Sequence, residues 1–301
     1  MKNMEKLRLI FLYIFLGVSS QVCGQELYVG TYNIRYDNEE DRKDGNDWES
    51  RCPVICGQLN FEHPDVFGAQ EVLHHQLQDM LKMLVGYSYV GVGREDGEQK
   101  GEYAPIFYDP DVLERQDCGW FWLSETPSEP SKGWDAACER ICTWGLFRHK
   151  ASGRQFYFFN LHMDHRGKKA RRESALLVLD QIRMRCADKE CPVILTGDFN
   201  VDQNDEVYSL LTESEDLVDT YENARIRFAE NGTFMDYKQD LLTESRIDHV
   251  FVSPSVEVDR YGILTNTYWK VKGSRDRYGD YRNAERRLPS DHYPVMVRVV
   301  M

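Results

Sequence analysis

Runs of four to eight residues that are apolar throughout, or that alternate apolar with polar, recur along the chain in the manner of strands. They predict strands over Glu26–Asn33, Asp65–Gln70, Ser88–Val92, Ala104–Tyr108, Phe156–His162, Pro192–Thr196, Ile247–Val252 and Tyr293–Val300. Helical spacing is rarer. Cys52–Asn60 reads as a short helix. Ala170–Cys186 reads as a longer one, because Ala175, Leu176, Leu179, Ile182 and Cys186 fall at helical intervals. Lys150–Arg154 is a turn that would join Thr143–His149 to Phe156–His162 as a hairpin. Many short strands with few helices predict an α/β sandwich: two mostly antiparallel β-sheets packed face to face, with helices outside.

The polar residues that interrupt the apolar runs carry the chemistry. One run ends on Asn33 and the next on Glu71. Asn160, His162 and Asp164 alternate in "NLHMDH", so all three share one strand face. Asp198 and Asn200 alternate in "LTGDFN", Asp248 sits inside "RIDHVFV", and Asp291-His292 opens the last strand. Each alone reads as a turn or a surface pair. Six such interruptions, all at strand edges, read as one site. Four carboxylates buried together need a cation among them. Oxygen ligands of this type suit Mg²⁺, Mn²⁺ or Ca²⁺, and no thiolate or multi-histidine cluster points to zinc. A metal among carboxylates with a histidine beside an aspartate fits attack of water on a phosphate ester.

Composition narrows the class. With 301 residues, 42% hydrophobic and 29% charged, and no repeat or linker, the chain reads as one domain over 25–301 behind an N-terminal leader. Lys2, Lys6 and Arg8 supply a positive n-region, Leu7–Val18 is almost entirely apolar, and Val22-Cys23-Gly24 precedes a cleavage point at Gln25. Residues 1–24 are thus expected to be a signal peptide of a periplasmic or secreted protein. An uncleaved anchor is the first alternative, and a lipid anchor on Cys23 is another, weakened by the bulk of Val22. The formal charge of −13 becomes −15 once Lys2, Lys6, Arg8 and Glu5 are removed. That balance argues against a protein that coats nucleic acid. Seven cysteines remain after the leader, and in an exported protein Cys186 and Cys191 are the candidate disulfide pair. Cys52/Cys56 and Cys138/Cys142 share an i,i+4 spacing that reads as structural rather than metal-binding. No feature asks for a protein partner, and a monomer is expected.

The motifs "TYNIR", "GAQE", "GEYAPIFY", "NLHMDH", "LTGDFN", "RIDHVFV" and "PSDHYPV", in this order over Leu27 to Val299, resemble the endonuclease/exonuclease/phosphatase superfamily. Its DNase I-like fold implies a four-layer α/β sandwich. "NLHMDHRGKKARRESA" and "FWLSETPSEPSKGWDAACERICTW" are similar to the deadenylase and sphingomyelinase branch. The resemblance implies a Mg²⁺ or Mn²⁺ held by Glu71, with Asn33 and Asp291 in support. It implies that Asp198 deprotonates the attacking water, that Asn200 holds water or phosphate, and that His162 faces the leaving side. His292 would stabilise charge on the phosphoryl oxygens, held as a cation by Asp248, and Tyr103 would contact the phosphate. Asn160, Arg171 and Arg140 are further substrate-binding candidates, with Arg171 beside His165 at the mouth. Arg35 departs from relatives that carry an acidic residue there. Trp120, Trp122 and Trp134 read as packing before stacking, His74 and His75 as surface, and Gly273–Arg287 as a loop over the site. The expected activity is phosphate-ester hydrolysis, with a diester ahead of a small phosphorylated metabolite or sugar. An inactive binding module would lack some of Glu71, Asp198, Asp248 and His292, yet all are present.

Overall fold

The computed structural model describes residues 25–186, 191–271, 273 and 283–301. The leader lies outside the described residues, as do Arg275, Arg277 and Arg282 of the Gly273–Arg287 segment. One sheet has seven strands in the order β10 (Ile226–Phe228), β12 (Glu257–Ile263), β15 (Val295–Val300), β1 (Glu26–Asn33), β2 (Val66–Gln70), β4 (Ile106–Tyr108), β3 (Ser88–Val90). The other has six: β5 (Leu113–Trp122), β6 (Ile141–His149), β7 (Gln155–His162), β8 (Val193–Asp198), β11 (Asp248–Val252), β9 (Val218–Asp219). A separate hairpin pairs β13 (Tyr268–Val271) with β14 (Ala284–Arg287). The helices are α1 (Glu39–Lys43), α2 (Trp48–Glu62), α3 (His74–Met83), α4 (Lys168–Arg185), α5 (Glu206–Thr212) and α6 (Thr220–Asn223).

Side chains of both sheets, among them Val29, Val66, Val297, Phe158, Ile194 and Val250, form the core between them. Trp48, Ile55 and Leu59 of α2 and Leu77 and Met80 of α3 cover the outside of the seven-stranded sheet. Ala175, Val178 and Ile182 of α4 and Leu211 of α5 cover the outside of the other. The four layers match the sequence reading. Helix α2 starts earlier than its apolar spacing predicts, because the Asp47 carboxylate caps it by accepting from the Ser50 N–H. Strand β5 was not predicted. It is an edge strand whose Glu114, Arg115 and Gln116 break the apolar pattern, and it carries a register shift between Arg115 and Asp117.

The sheets are mostly antiparallel, but each has a parallel pair at its centre: β1 with β2, and β7 with β8. Parallel strands end at the same edge. The register sets Asn33 beside Gln70, and His162 beside Asp198, while antiparallel β11 starts with Asp248 opposite Asp198. The six polar interruptions therefore meet at one end of the sandwich.

Asn160 lies deeper. Its amide donates to the carbonyls of Ala69 and Pro105 at 2.8 and 3.0 Å, and its Oδ1 accepts from Gln70 and Thr196. A Cβ at Gly68 would lie 2.1 Å from Asn160 Oδ1, so β2 approaches this closely only with glycine there. Asn160 is fully buried and ties one sheet to the other, which corrects its reading as a substrate contact. Asn160→Ala would strand several buried partners and is expected to cost about 3 kcal/mol, lowering Tm by roughly 5–10 °C. Thermal unfolding checks this; an unchanged Tm with a raised KM would restore the substrate role.

Candidate active site

At that end of the sandwich lies a cavity of about 370 Å³. Its acidic floor is Glu71, Asp198 and Asp291, and its walls carry Arg35, Arg94, Arg140, His162, His165, Asn200 and His292. Three of these residues, Arg35, Glu71 and Asn200, have left-handed backbones with φ of 58, 62 and 52°. Such strain, about 1–3 kcal/mol each, persists where the surroundings hold it and gathers at functional sites. Here local bonds hold it: the Arg35 N–H donates to Asn33 Oδ1, and the Asn200 N–H donates to Asp198 Oδ1.

Asp198 is the hub. Its Oδ2 accepts from Asn33 Nδ2 at 2.9 Å, and His162 Nε2 and His292 Nε2 stand 3.4 and 3.8 Å away. Burial, then the charge of Asp248, pushes its carboxyl up to about 7 against the pull of His292 and Asn33. Burial alone would raise Glu71, but Arg35, His292, Asn33 and the Tyr36 N–H outweigh it and hold the carboxyl below its ordinary range. Burial likewise lifts Asp291 to about 6, against His292.

The two histidines are held in opposite states. His292 Nδ1 lies 2.8 Å from Asp248 Oδ2, as the sequence predicts. Burial disfavours the imidazolium, but Asp248, with Asp198 and Asp291, raises His292 to about 10. His162 is pushed well below its usual value by burial and by the charges of Arg140 and Arg94, so it stays neutral. Its Nδ1 makes no hydrogen bond, with Glu102 Oε2 3.8 Å away.

The basic wall opposes this floor. Arg94 grips Glu102 with two bonds of 2.7 Å. Arg140 is held by Asp164 and His165, at 3.4 and 2.9 Å, and its buried Nη1 has no partner among the described residues. That Nη1 is a donor left over for an anion.

Donor atoms of Glu71, His162 and Asp198 all lie within 4.8 Å of one another, and two carboxylates with a neutral imidazole suit a divalent cation. Asp198, Asp248 and His292 are as close, but there the imidazolium already supplies the positive charge. Cys138, Asp164 and His165 form a third cluster. It is taken up otherwise: the Asp164 oxygens accept the N–H groups of Ala137, Arg166 and Gly167, and Arg140 donates to His165.

Most sequence-predicted residues converge. Glu71, Asp198, Asn200, Asp291, His292, His162 and Arg140 line the cavity, and Asn33 and Asp248 stand directly behind it. Two further candidates do not reach it. The Tyr103 hydroxyl donates to the Glu98 carbonyl at 2.9 Å and lies 3.0 Å from His74 Nδ1, tying loop to helix. Arg171 is buried, its Nη1 on the Asp164 carbonyl at 2.9 Å. The neighbouring Lys168, Lys169 and Arg172 are a solvated face, and Asp135 caps that helix. Trp122 is packed, donating to the Arg94 carbonyl. Cys52 and Cys56 are buried with sulfurs 3.9 Å apart, and Cys142 is buried in β6; among the described residues neither i,i+4 pair falls together in a cluster of carboxylate, imidazole and thiol donors compact enough for an ion. Sequence reasoning missed Tyr36, Arg94, Cys138 and Phe234 as lining residues. The signal for Arg94 was the glycine-bracketed "GVGREDGEQKG", which folds back so that residues 94 and 102 meet.

Residues 30–292 match the sequence profile of the Endonuclease/Exonuclease/phosphatase family. The chain belongs to this family. The match embraces every residue of the cavity, and it makes the protein one of a family of phosphoester hydrolases. Among solved structures, the mannosyl-6-phosphatase Bt3783 of Bacteroides thetaiotaomicron VPI-5482 is 49% identical, with a TM-score of 0.87 over 91% of this chain and 100% of that one. An endonuclease/exonuclease/phosphatase family protein from Bacteroides vulgatus is 36% identical, with a TM-score of 0.80 over 92% of this chain and 99% of that one. The human Nocturnin catalytic domain, at 17% identity and TM-score 0.65 over 91% and 93%, shares the DNase I-like fold. An uncharacterized protein, L388, of Acanthamoeba polyphaga mimivirus is 31% identical over 214 residues, 68% of this chain and 79% of that protein.

Proposed function

We propose that this chain is a divalent-metal-dependent phosphomonoesterase that removes the terminal phosphate of a small phosphorylated sugar. The observation that carries the reading is the cavity: about 370 Å³, carboxylates on one side, and the unpartnered Arg140 Nη1 on the other. That volume is at the small end of ligand sites. A single phosphate with one sugar is a size this cavity admits, and the net charge of −13 does not favour a polyanion. The mannosyl-6-phosphatase at 49% identity supports the same choice. The sequence reading put a diester first; the size of the cavity favours the monoester.

Glu71 and Asp198, with His162, would hold Mg²⁺ or Mn²⁺, in place of the Asn33 and Asp291 that the resemblance set beside Glu71. When bound, the ion supplies the charge that lets a nucleophile approach an anionic ester. The protein's own groups do the rest. Ionised Asp198 accepts a proton from the attacking water, and Asn200 stands beside it to orient water or phosphate. The His292 cation, fixed by Asp248, binds the phosphoryl oxygens as their charge grows. Arg140, held by Asp164, fixes the phosphate so that attack is in line. Neutral His162 borders the leaving oxygen.

The test is phosphate release by residues 25–301 from hexose 6-phosphates, an aryl phosphomonoester and an aryl phosphodiester, each with Mg²⁺, Mn²⁺ or EDTA. Metal-dependent turnover with kcat/KM at least about 100-fold higher on a sugar monoester than on the diester is expected, a difference of about 2.7 kcal/mol in transition-state binding. Preference for the diester would sink the proposal.

A further inference from the structure

Helices α2 and α3 lie together on the outer face of the seven-stranded sheet, and sulfur gathers where they meet. Cys52 and Cys56 stand one turn apart on α2, both buried. Cys52 Sγ lies 3.9 Å from Cys56 Sγ and 3.7 Å from Sδ of Met83, the last residue of α3. The i,i+4 spacing reads as structural in the sequence because no third ligand is near it. The fold supplies one from 31 residues away.

We propose that Cys52, Cys56 and Met83 form a binding site for one soft monovalent cation, Cu(I), separate from the active site. None of the three lines the catalytic cavity, and the proposal does not depend on the phosphatase reading.

Three observations carry it. First, the separations suit an ion. Metal–sulfur bonds of about 2.3 Å hold three sulfurs in a plane about 4 Å apart, close to the 3.9 and 3.7 Å found here without any metal to draw them in. Second, the donor set selects the ion. Two thiolates and a thioether are soft ligands, which favour Cu(I) over Mg²⁺ or Mn²⁺. A structural zinc would want a fourth ligand. Among the described residues no carboxylate or imidazole completes a compact cluster with Cys52 or Cys56. Asp79 of α3 is engaged elsewhere, accepting from Trp48 Nε1 at 3.2 Å and from Lys82 Nζ at 3.1 Å. Third, the thioether is positioned and the site is reachable. Asn60 of α2 donates to the Met83 carbonyl at 2.9 Å and accepts the Val85 N–H at 2.9 Å, which fixes the end of α3. Met83 is 39% exposed, so an ion can enter from solvent past the thioether to the two thiols. Binding forms two Cu–thiolate bonds and one Cu–thioether bond. The two S–H protons leave to solvent, and no electron is transferred.

The experiment is competition for Cu(I). Reduced residues 25–301 would be titrated anaerobically with Cu(I) held by bicinchoninate, for the wild type, Cys52→Ser, Cys56→Ser and Met83→Leu. X-ray absorption would count the sulfur neighbours of the bound ion. The wild type is expected to withhold one Cu(I) per chain, with three sulfurs around it. Each serine variant is expected to bind at least about 100-fold more weakly, having lost a thiolate ligand. Met83→Leu is expected to bind about 10-fold more weakly with two sulfurs left, and its near-constant volume at a half-exposed position keeps it folded. That variant decides the matter if a serine variant fails to fold. A wild type that withholds no Cu(I) would overturn the proposal. So would equal affinity and sulfur count in all four proteins, which would put the ion on other cysteines. An unchanged Met83→Leu would remove the thioether and with it the three-sulfur site. Cys52 joined to Cys56 as a disulfide in protein isolated without reductant would also overturn it.

Discussion

Asp198→Asn is expected to lower kcat about 10³-fold or more while leaving the protein folded. The estimate rests on removal of a general base, worth about 10²–10⁴, and of one of the two carboxylates that would hold the metal. Asparagine has the same shape, and its Oδ1 can still accept the Asn200 N–H that Asp198 Oδ1 takes at 2.9 Å. The other bond is lost, because Asn33 Nδ2 now meets a second amide donor in place of Oδ2. Stability moves the other way. The Asp198 carboxyl titrates at about 7 instead of in the usual carboxylate range, so its ionisation opposes folding, and stability falls as pH rises through 7. A neutral amide removes that penalty. In EDTA at pH 8 the variant is therefore expected to melt no lower than the wild type, although it is nearly inactive when metal is supplied. Melting curves and single-turnover rates at pH 8 provide the check. A loss of less than tenfold in rate would remove Asp198 from the role of base. This opposition between stability and activity is characteristic of buried charge kept for function.

The site was largely legible because strands have a period of two and end where polar residues interrupt them. Glu71, Asp198, Asp248, Asp291 and His292 were found that way, and parallel pairing at the centre of each sheet brings them together. What alternation does not encode is depth. Asn160 and His162 share one face of β7, yet two residues are roughly 7 Å along a strand. That distance separates the cavity wall from the interior, where Asn160 is fully enclosed. Tyr103 and Arg171 failed for a related reason. Tyr103 follows Glu102 of the cavity and Arg171 lies six residues after His165, but long side chains can fold back onto backbone carbonyls, as both do here. Arg35 stood out in the sequence only as a departure from relatives, and Arg94 not at all, because the role of an arginine at a site depends on where its carboxylate partner lies. Those partners, Asp41 and Glu102, lie six and eight residues away across turns.

Asp248→Asn is expected to move the whole pH profile toward acid. Asp248 makes the 2.8 Å bond to His292 Nδ1 and is the strongest influence opposing burial there, holding the imidazolium to about 10. Without that carboxylate, burial regains weight and His292 titrates lower, toward its ordinary range, held up only by Asp198 and Asp291. The alkaline limb of kcat/KM, which in the wild type reports loss of the cation near 10, then falls near neutrality. At pH 8 the variant is expected to lose about 10²-fold or more, the scale of one positioned donor to a developing oxyanion. At pH 6, where the imidazole recovers its proton, the deficit should shrink. The acid limb moves in the same direction, because Asp248 is second only to burial in raising Asp198, and its removal lets Asp198 ionise at lower pH. Stability supplies an independent reading. In the wild type the His292 pair contributes stability that is fully present below about 6.5 and is lost as pH rises through about 10. The gap in melting temperature between wild type and variant should therefore be widest in acid and close in strong alkali. If the variant instead loses activity by one constant factor at every pH, Asp248 shapes the pocket without setting the charge of His292.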